Sequence, residues 1–176
     1  MDGYTEEEAE EILSDLDKKS LSELESLFKK GNIPSYDDVE GETLGKFIGW
    51  NEENPRLVNF FVKLLFESPI GRWTGKEFSE SFEDEERGSG INLFQNMLFP
   101  QRFPFDTYIT EANLDGEPSM SLDYRPYYSL MSRLVDYVRL IKPGVVLGRM
   151  HYRYPLKKET SFLGYFSLCK YAGKSD

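Results

Sequence analysis

Turn signals divide the second half of the sequence at intervals of about eight to twelve residues. Asp115-Gly116 and Pro143-Gly144 are two of these signals. The runs between them, such as FDTYITEANL and FLGYFSLCKY, are rich in β-branched and aromatic residues, which favour strands. Several runs alternate in the way expected of a sheet with one buried face. The pattern therefore predicts about six to eight antiparallel strands from residue 71 onward.

Two short amphipathic helices are predicted near the N-terminus. Thr5 followed by Glu8, and Ser20 followed by Glu23, have the spacing of a capping box. Apolar residues, mostly leucines, follow each pair at helical intervals. Residues 5–30 are therefore predicted to form two helices, each with one apolar face.

Predictions also follow for three further segments. The run 54–68 begins with an Asn-Pro pair and has a continuous apolar stripe, which predicts a helix ended by Pro69. The run 41–50, GETLGKFIGW, has too many glycines for a helix interior and indicates a turn or a short strand. Segment 128–142 fits a short helix or loop that leads into a strand at 135–142.

Helices and strands follow one another in blocks along the chain, which is typical of an α+β fold. We expect a single domain over residues 1–176, mainly β, because a chain of this length builds one substantial core. Residues 1–69 are predicted to form a helical segment that packs on or caps a barrel. Residues 70–172 are predicted to form that antiparallel β-barrel.

The stretch GRWTGKEF has a partial likeness to a phosphate-binding loop. Three residues separate Gly71 from Gly75 where such a loop needs four, and Glu77 stands where a hydroxyl residue should follow Lys76. A barrel strand is favoured instead. In that strand Trp73 would point inward, Gly75 would admit a neighbouring strand, and Lys76 would face outward.

The same stretch, GRWTG, resembles the Gly-x-Trp-x-Gly signature of bacterial lipocalin-like (calycin-type) β-barrel proteins, many of them uncharacterised. The segments EPSMSLDYRPYY, VDYVRLIKPGVVLGRM and FLGYFSL are similar to later strands of such proteins, so the resemblance covers about residues 71–171. It implies an antiparallel lipocalin-like barrel that follows the N-terminal helices.

The resemblance also implies a floor and a wall for the barrel cavity. Trp73 would lie across the closed end, and Arg149 or Arg153 would stack on it. The floor would be formed by Trp73, Gly71, Gly75 and Arg149. The ligand-binding wall would be formed by Asp123, Tyr124, Asp136, Arg139, Tyr108 and Met150. Alternatively, the two aspartates and Arg139 are ordinary charges on an exposed strand face, and Trp73 serves only packing.

Metal and cofactor chemistry is limited by composition. His151 is the only histidine and Cys169 the only cysteine, which excludes a three-histidine metal centre and a cysteine-rich zinc site within this chain. We therefore expect no metal and no cofactor. The one alternative is haem with His151 as its axial ligand, as in lipocalin-like haem barrels. The sequence contains no G-x-S-x-G motif, so it gives no indication of a serine hydrolase.

The formal net charge of −10 argues against binding to nucleic acid, because that affinity rests on lysines and arginines that neutralise phosphates. The N-terminus lacks the pattern of a signal peptide, and no apolar run approaches about twenty residues. We expect a cytoplasmic protein without membrane insertion.

Three functions are compatible with these features. The first is binding of a hydrophobic or lipid-like small molecule in the barrel cavity. The second is an enzyme of the isomerase or cyclase type, in which Asp123 or Asp136 acts as general acid or base beside Tyr124. The third is an interaction module, in which the acidic N-terminal helices dock on a basic protein partner.

Overall fold

The computed structural model describes residues 3–54, 56, 58, 60, 72–80, 87–95, 103–127, 130–154 and 160–172. Its centre is a closed barrel of eight strands in which every neighbouring pair is antiparallel. The strands are β1 Gly41–Trp50, β2 Trp73–Glu80, β3 Arg87–Phe94, β4 Pro104–Glu111, β5 Pro118–Asp123, β6 Leu134–Lys142, β7 Val145–Arg153 and β8 Thr160–Lys170.

The barrel closes because the first strand pairs with the last. The β1–β8 ladder runs from Thr43 opposite Lys170 to Trp50 opposite Gly164. Every strand thus has a neighbour on both sides, and the strand order around the barrel is the order along the chain. The predicted α+β fold, mainly β, with N-terminal helices and an antiparallel barrel, is confirmed.

The barrel begins about thirty residues earlier than the sequence predicted. Segment 41–50, expected to be a turn or short strand, forms the ten-residue strand β1, so the predicted boundary at residue 70 is wrong. Its glycines serve close packing: a Cβ at Gly45 would collide with the Trp73 ring, and one at Gly49 would crowd Leu21 and Leu24. The glycines that argued against a helix here have a packing role. Gly45 makes room for the Trp73 indole, and Gly49 makes room for the second N-terminal helix.

The two predicted helices, α1 Glu6–Asp17 and α2 Leu21–Lys30, are present with both capping boxes. They pack along the outer wall of the barrel rather than across its end. Their buried side chains share one hydrophobic cluster with outward-facing residues of four strands. The cluster includes Ala9, Leu13, Leu16, Leu24, Phe28, Ile48, Val135, Tyr137, Val145, Leu147, Tyr165 and Cys169. Of the helices that the structure describes, none has the length and apolar character needed to cross a membrane.

Short helical turns lie at both ends of the barrel. Helix α3, Tyr36–Val39, directly precedes β1, and Val39 is buried in the hydrophobic core inside the barrel. At the other end, 3₁₀ turns η1 Arg125–Tyr127 and η2 Leu130–Arg133 join β5 to β6. The prediction of a short helix or loop leading into a strand within 128–142 is therefore confirmed.

A β-bulge near the start of β2 reverses the expected direction of Lys76. Trp73 pairs with Phe94 and Gly75 with Leu93, so one extra residue lies between them. Because the bulge shifts the alternation by one, Trp73, Lys76 and Phe78 are all buried. The prediction that Lys76 faces outward is wrong, whereas the predicted burial of Trp73 is confirmed.

Two sequence predictions lie largely outside the described residues. Gly71, assigned to the barrel floor, is one of them. The helix predicted over 54–68 is the other, since only residues 54, 56, 58 and 60 of that run are described.

The bulge gives Gly75 a role that alanine cannot fill. Its φ is +153°, and a Cβ there would overlap the carbonyl oxygen of Thr43 on β1. We expect Gly75→Ala to lower the free energy of unfolding by about 3 kcal/mol or more, measured by urea denaturation. Gly116 is a matched control, because its φ is also positive, at +73°, but its Cβ position is open. Gly116→Ala should cost about 1 kcal/mol, and equal losses in the two variants would contradict this account of Gly75.

Candidate functional site

A cluster of polar side chains lies inside the barrel, near the end at which β2 begins. We call it the interior cluster; its members are Trp73, Lys76, Asn92, Tyr124 and Asp136. Strands β2, β3 and β6 and the residue after β5 supply them. All five are buried, with Lys76 and Asp136 each 2% exposed. Neighbouring hydrophobic residues surround the cluster, so its hydrogen bonds are shielded from water.

Lys76 is the centre of the hydrogen-bond network. Its Nζ donates to Asn92 Oδ1 at 2.7 Å and to Tyr124 OH at 2.6 Å. Its ion pair with Asp136 is longer, with 3.4 Å between Nζ and Oδ2. Tyr124 OH donates to the same Oδ2 at 2.8 Å, and Trp73 Nε1 donates to Asn92 Oδ1 at 3.1 Å. The charge of Lys76 is therefore met by one carboxylate and two neutral oxygens.

Aromatic rings surround the Lys76 ammonium group. Its Nζ lies 4.9–5.6 Å from the ring centroids of Phe105, Tyr124, Phe166 and Trp73. Ring faces attract a cation, but they replace water only in part. Burial lowers the pKa of Lys76 to about 8, although the charge of Asp136 opposes that shift. This amine can therefore lose its proton at a lower pH than an exposed lysine.

The carboxyl group of Asp136 has one unsatisfied oxygen. Burial raises the pKa of Asp136, and Lys76 and Tyr124 oppose the rise through Oδ2. Oδ1 has no hydrogen-bond partner among the residues that the structure describes. Burial also raises the pKa of Tyr124, so its hydroxyl stays protonated and donates. Asp136 thus offers a buried acceptor that no described side chain uses.

A cavity of about 10 Å³, room for about one water molecule, borders this cluster. Two of its lining residues carry charge and the others are aromatic or methionine. The lining is Phe47, Trp73, Lys76, Met131, Asp136, Met150 and Phe166. The inner space is therefore small, apolar on most sides and polar at Lys76 and Asp136.

A groove of about 600 Å³ lies beside β1 and shares Phe47 and Trp73 with the inner cavity. Within the described strands, β1 pairs with β2 only from Gly41 to Leu44, whereas its pairing with β8 continues to Trp50. Among the described strands, the second half of β1 therefore pairs with β8 and not with β2. The groove is lined by Asp17, Gly45, Lys46, Phe47, Ile48, Gly49, Trp50, Glu52, Arg72 and Trp73.

The predicted wall residues separate into two groups. Tyr124, Asp136 and Met150 lie together in the interior. Asp123 instead lies on the outer face, because neighbouring strand residues alternate and Leu122 points inward. It binds Arg125 and Arg153, and it accepts a hydrogen bond from Tyr108 at 3.0 Å. Burial acts to raise the pKa of Asp123, but hydrogen bonds from Arg125 hold it below its ordinary value.

Arg139 is buried on the outer wall of β6. It pairs with Asp115 at 2.7 Å, and its guanidinium group lies over the Phe28 ring of α2. It also donates to the hydroxyl of Ser119 and to the backbone carbonyl of Phe28. These contacts join the β4–β5 connection to α2 and do not bring Arg139 to the interior cluster.

Arg149 and His151 also lie on the outer wall. The guanidinium group of Arg149 is 4.1 Å from the centroid of Phe162, so it is not stacked on Trp73. Arg149 Nε donates to His151 Nε2 at 3.1 Å, and His151 Nδ1 hydrogen bonds with Thr160. Burial, together with the charge of Arg149, lowers the pKa of His151 to about 3. Because both ring nitrogens already have partners, this geometry gives no support to haem ligation.

Two members of the interior cluster were missed by sequence reasoning. Lys76 was assigned to the wrong face because the bulge that turns it inward leaves no periodic signal in the sequence. Asn92 lies between the apolar residues Ile91 and Leu93, and nothing in that run distinguishes it from an exposed strand asparagine. Across the described part of the chain, no group of three or more His, Cys, Asp or Glu is arranged to hold a metal ion.

Comparison with known proteins supports the fold. No protein-family model matches this chain, and no curated protein does. A crystal structure of a protein from Thermomonospora curvata is similar, with 15% sequence identity and a TM-score of 0.50. The match covers 93% of this chain and 96% of that one. At this level of identity the similarity shows a shared barrel fold alone.

The buried lysine predicts a pH dependence of stability. The pKa of Lys76 is about 8 in the folded protein and 10.5 ordinarily, so between these values the unfolded chain holds more protons. The free energy of unfolding contributed by this group therefore rises with pH across that window. Relative to Lys76→Met, the wild type should gain on the order of 2 kcal/mol between about pH 8 and about pH 10, measured by urea denaturation.

The exposed Lys46 provides the control for this measurement. It lies on β1 with its side chain 42% exposed and pairs with Asp17. Lys46→Met should keep the pH dependence of the wild type. If the free energy of unfolding changed with pH in the same way in the wild type and in Lys76→Met, burial would not lower the pKa of Lys76.

Proposed function

We propose that the barrel binds a small, mainly apolar molecule that carries one polar group. The observation that carries this proposal is the position of the inner cavity. The cavity is lined by Asp136, whose Oδ1 is unsatisfied, and it shares Phe47 and Trp73 with the groove. A buried polar group at the end of an apolar recess is the usual arrangement of a small-molecule site.

The two spaces suggest how such a ligand would be divided between them. A cavity of about 10 Å³ accepts a single atom or small group, whereas a groove of about 600 Å³ is within the range typical of ligand pockets. The apolar body of the ligand would lie in the groove, against the Phe47–Trp50 pair, whose ring centroids are 4.1 Å apart. Its polar end would pass between Phe47 and Trp73 into the cavity.

The polar end is expected to be a hydrogen-bond donor or a small oxygen-containing group. An N–H or O–H would satisfy Asp136 Oδ1, and leaving a buried acceptor unsatisfied costs about 1–3 kcal/mol. Among the groove residues, Phe47, Trp50 and Trp73 favour a planar or hydrocarbon body.

A second candidate function is acid–base catalysis by Asp136, which the 2.8 Å hydrogen bond from Tyr124 favours. A buried carboxyl with a raised pKa can accept a proton from a substrate and return it. For a substrate identified by screening, turnover should fall by about a hundredfold in Asp136→Asn. Unchanged turnover would contradict this role.

A protein partner for the acidic N-terminal helices stays a prediction. The apolar faces of α1 and α2 are buried against the barrel wall, so a partner would contact their exposed polar faces. Removing these helices would also uncover the apolar outer wall of the barrel. A truncation experiment would therefore test the stability of the barrel as well as the partner.

The binding proposal can be tested with 1-aminoanthracene, an apolar fluorescent probe with one N–H donor group. We expect saturable fluorescence enhancement with the wild-type protein. Phe47→Ala should weaken binding about tenfold, because it removes one aromatic wall of the groove. Anthracene has the same body without the donor. We expect its dissociation constant, measured by competition with the probe, to be about tenfold higher than that of 1-aminoanthracene.

Ile109→Ala is the matched control for Phe47→Ala. Ile109 is 38% exposed on β4, three strands away from β1, and it does not line the groove. This variant should bind the probe like the wild type. The proposal fails if the wild type gives no saturable signal, or if Phe47→Ala and Ile109→Ala bind equally well.

A further inference from the structure

We infer that Lys76 forms an imine with aldehydes whose apolar body occupies the groove. This inference rests on the proposed binding function and names the chemical class of the ligand. It follows from the position of Lys76, which lines the inner cavity and has its amine beside Asp136. Desolvation of a lysine in apolar surroundings is a known route to a nucleophilic amine.

The surroundings of Nζ favour reaction with a carbonyl carbon. Four aromatic rings limit the access of water to the amine, and burial lowers its pKa to about 8. A substantial fraction of the amine is therefore neutral in mildly alkaline solution. Asp136 Oδ2, 3.4 Å from Nζ, is placed to take the proton that the amine must release.

The size of the cavity selects the kind of carbonyl compound. Space for about one water molecule is space for a carbonyl oxygen. Phe47 and Trp73 line both the cavity and the groove, so the rest of the ligand would pass between them. A terminal formyl group fits this passage better than a ketone, which carries a second carbon substituent. An aldehyde oxygen in this cavity would lie beside Lys76 and Asp136.

The reaction balances with groups that the cluster supplies. The Lys76 ammonium group gives a proton to Asp136, and the neutral nitrogen attacks the aldehyde carbon while Asp136 returns that proton to the oxygen. The nitrogen then releases a second proton to Asp136, which passes it to the hydroxyl as the C–O bond breaks and water leaves. The product is a protonated imine paired with the Asp136 carboxylate. Tyr124 acts as a positioning residue, because it holds Oδ2 at 2.8 Å.

The inference can be tested by trapping the imine with sodium cyanoborohydride, which adds hydride to the imine carbon. The full-length protein is incubated with 2-naphthaldehyde and the reductant, and the modified residue is located by peptide mass spectrometry. We expect one naphthylmethyl group per chain, on Lys76, and a labelling rate that rises with pH through about 8. Tyr124→Phe should slow the labelling at least about tenfold while it preserves the ring packing.

Two controls distinguish specific labelling from surface chemistry. An excess of 2-naphthalenemethanol has the same body without a carbonyl and should protect Lys76. Lys46 lines the groove with an exposed side chain and serves as an internal reference for unassisted reaction. Labelling of Lys46 or other surface lysines with Lys76 unmodified would overturn the inference. If 1-aminoanthracene still binds in that case, the binding proposal stands without the imine, and if it does not bind, both proposals fail.

Discussion

The burial of the Lys76 ammonium group is the constraint on which the interior of this barrel depends. A charge without water needs partners, and here they come from β3, from the residue after β5 and from β6. A slip of one residue in any of these strands would send its polar side chain to the outer face. The register of β2, β3, β5 and β6 is therefore tied to the Lys76 side chain. Its contacts with Asp136 involve Oδ2, and Oδ1 stays unsatisfied.

The bulge in β2 makes that burial possible. In a regular strand Trp73 and Lys76, three positions apart, would lie on opposite faces, and the bulge between Trp73 and Gly75 brings both to the inner face. Gly75 has the positive φ at this point, and its lack of a side chain allows the Thr43 carbonyl to approach. Gly45 admits the Trp73 ring in the same way from the facing strand. Gly75 on β2 and Gly45 on β1 thus allow the packing of Trp73 that places Lys76 inside the barrel.

The sequence predicted those parts of the fold whose signals are local. Capping boxes at Thr5 and Ser20 and the leucine spacing fix two helices, and turn signals fix most of the strands. Residues 41–50 were expected to form a turn or a short strand outside the barrel. The full strand β1 was not predicted, because its glycines reflect packing against distant residues, which no local pattern records. The direction of Lys76 depends on a bulge that exists only when β2 pairs with β3. Both errors arise from contacts between segments far apart in the chain.

The candidate site was predictable in part, for a related reason. Tyr124 and Asp136 were identified as wall residues and meet in the interior, but Asp123, adjacent to Tyr124, belongs to a separate network on the outer face. Neighbouring residues of a strand point in opposite directions, so a motif such as Leu-Asp-Tyr cannot contribute all its polar groups to one cavity. Assigning a face to each residue requires knowing where the strand ends, and here β5 ends at Asp123.

A purely structural role explains the interior cluster less well than a binding role. Replacing a buried ion pair by apolar side chains of similar volume is often neutral or stabilising, so stability alone does not require Lys76 and Asp136. Their position also has a particular feature. Both line the one-water cavity, and that cavity shares Phe47 and Trp73 with the groove beside β1. A cluster that served only to fix strand register could lie anywhere along the interior. The proposed binding role accounts for its location beside the inner cavity, where a few polar groups face an otherwise aromatic and methionine lining.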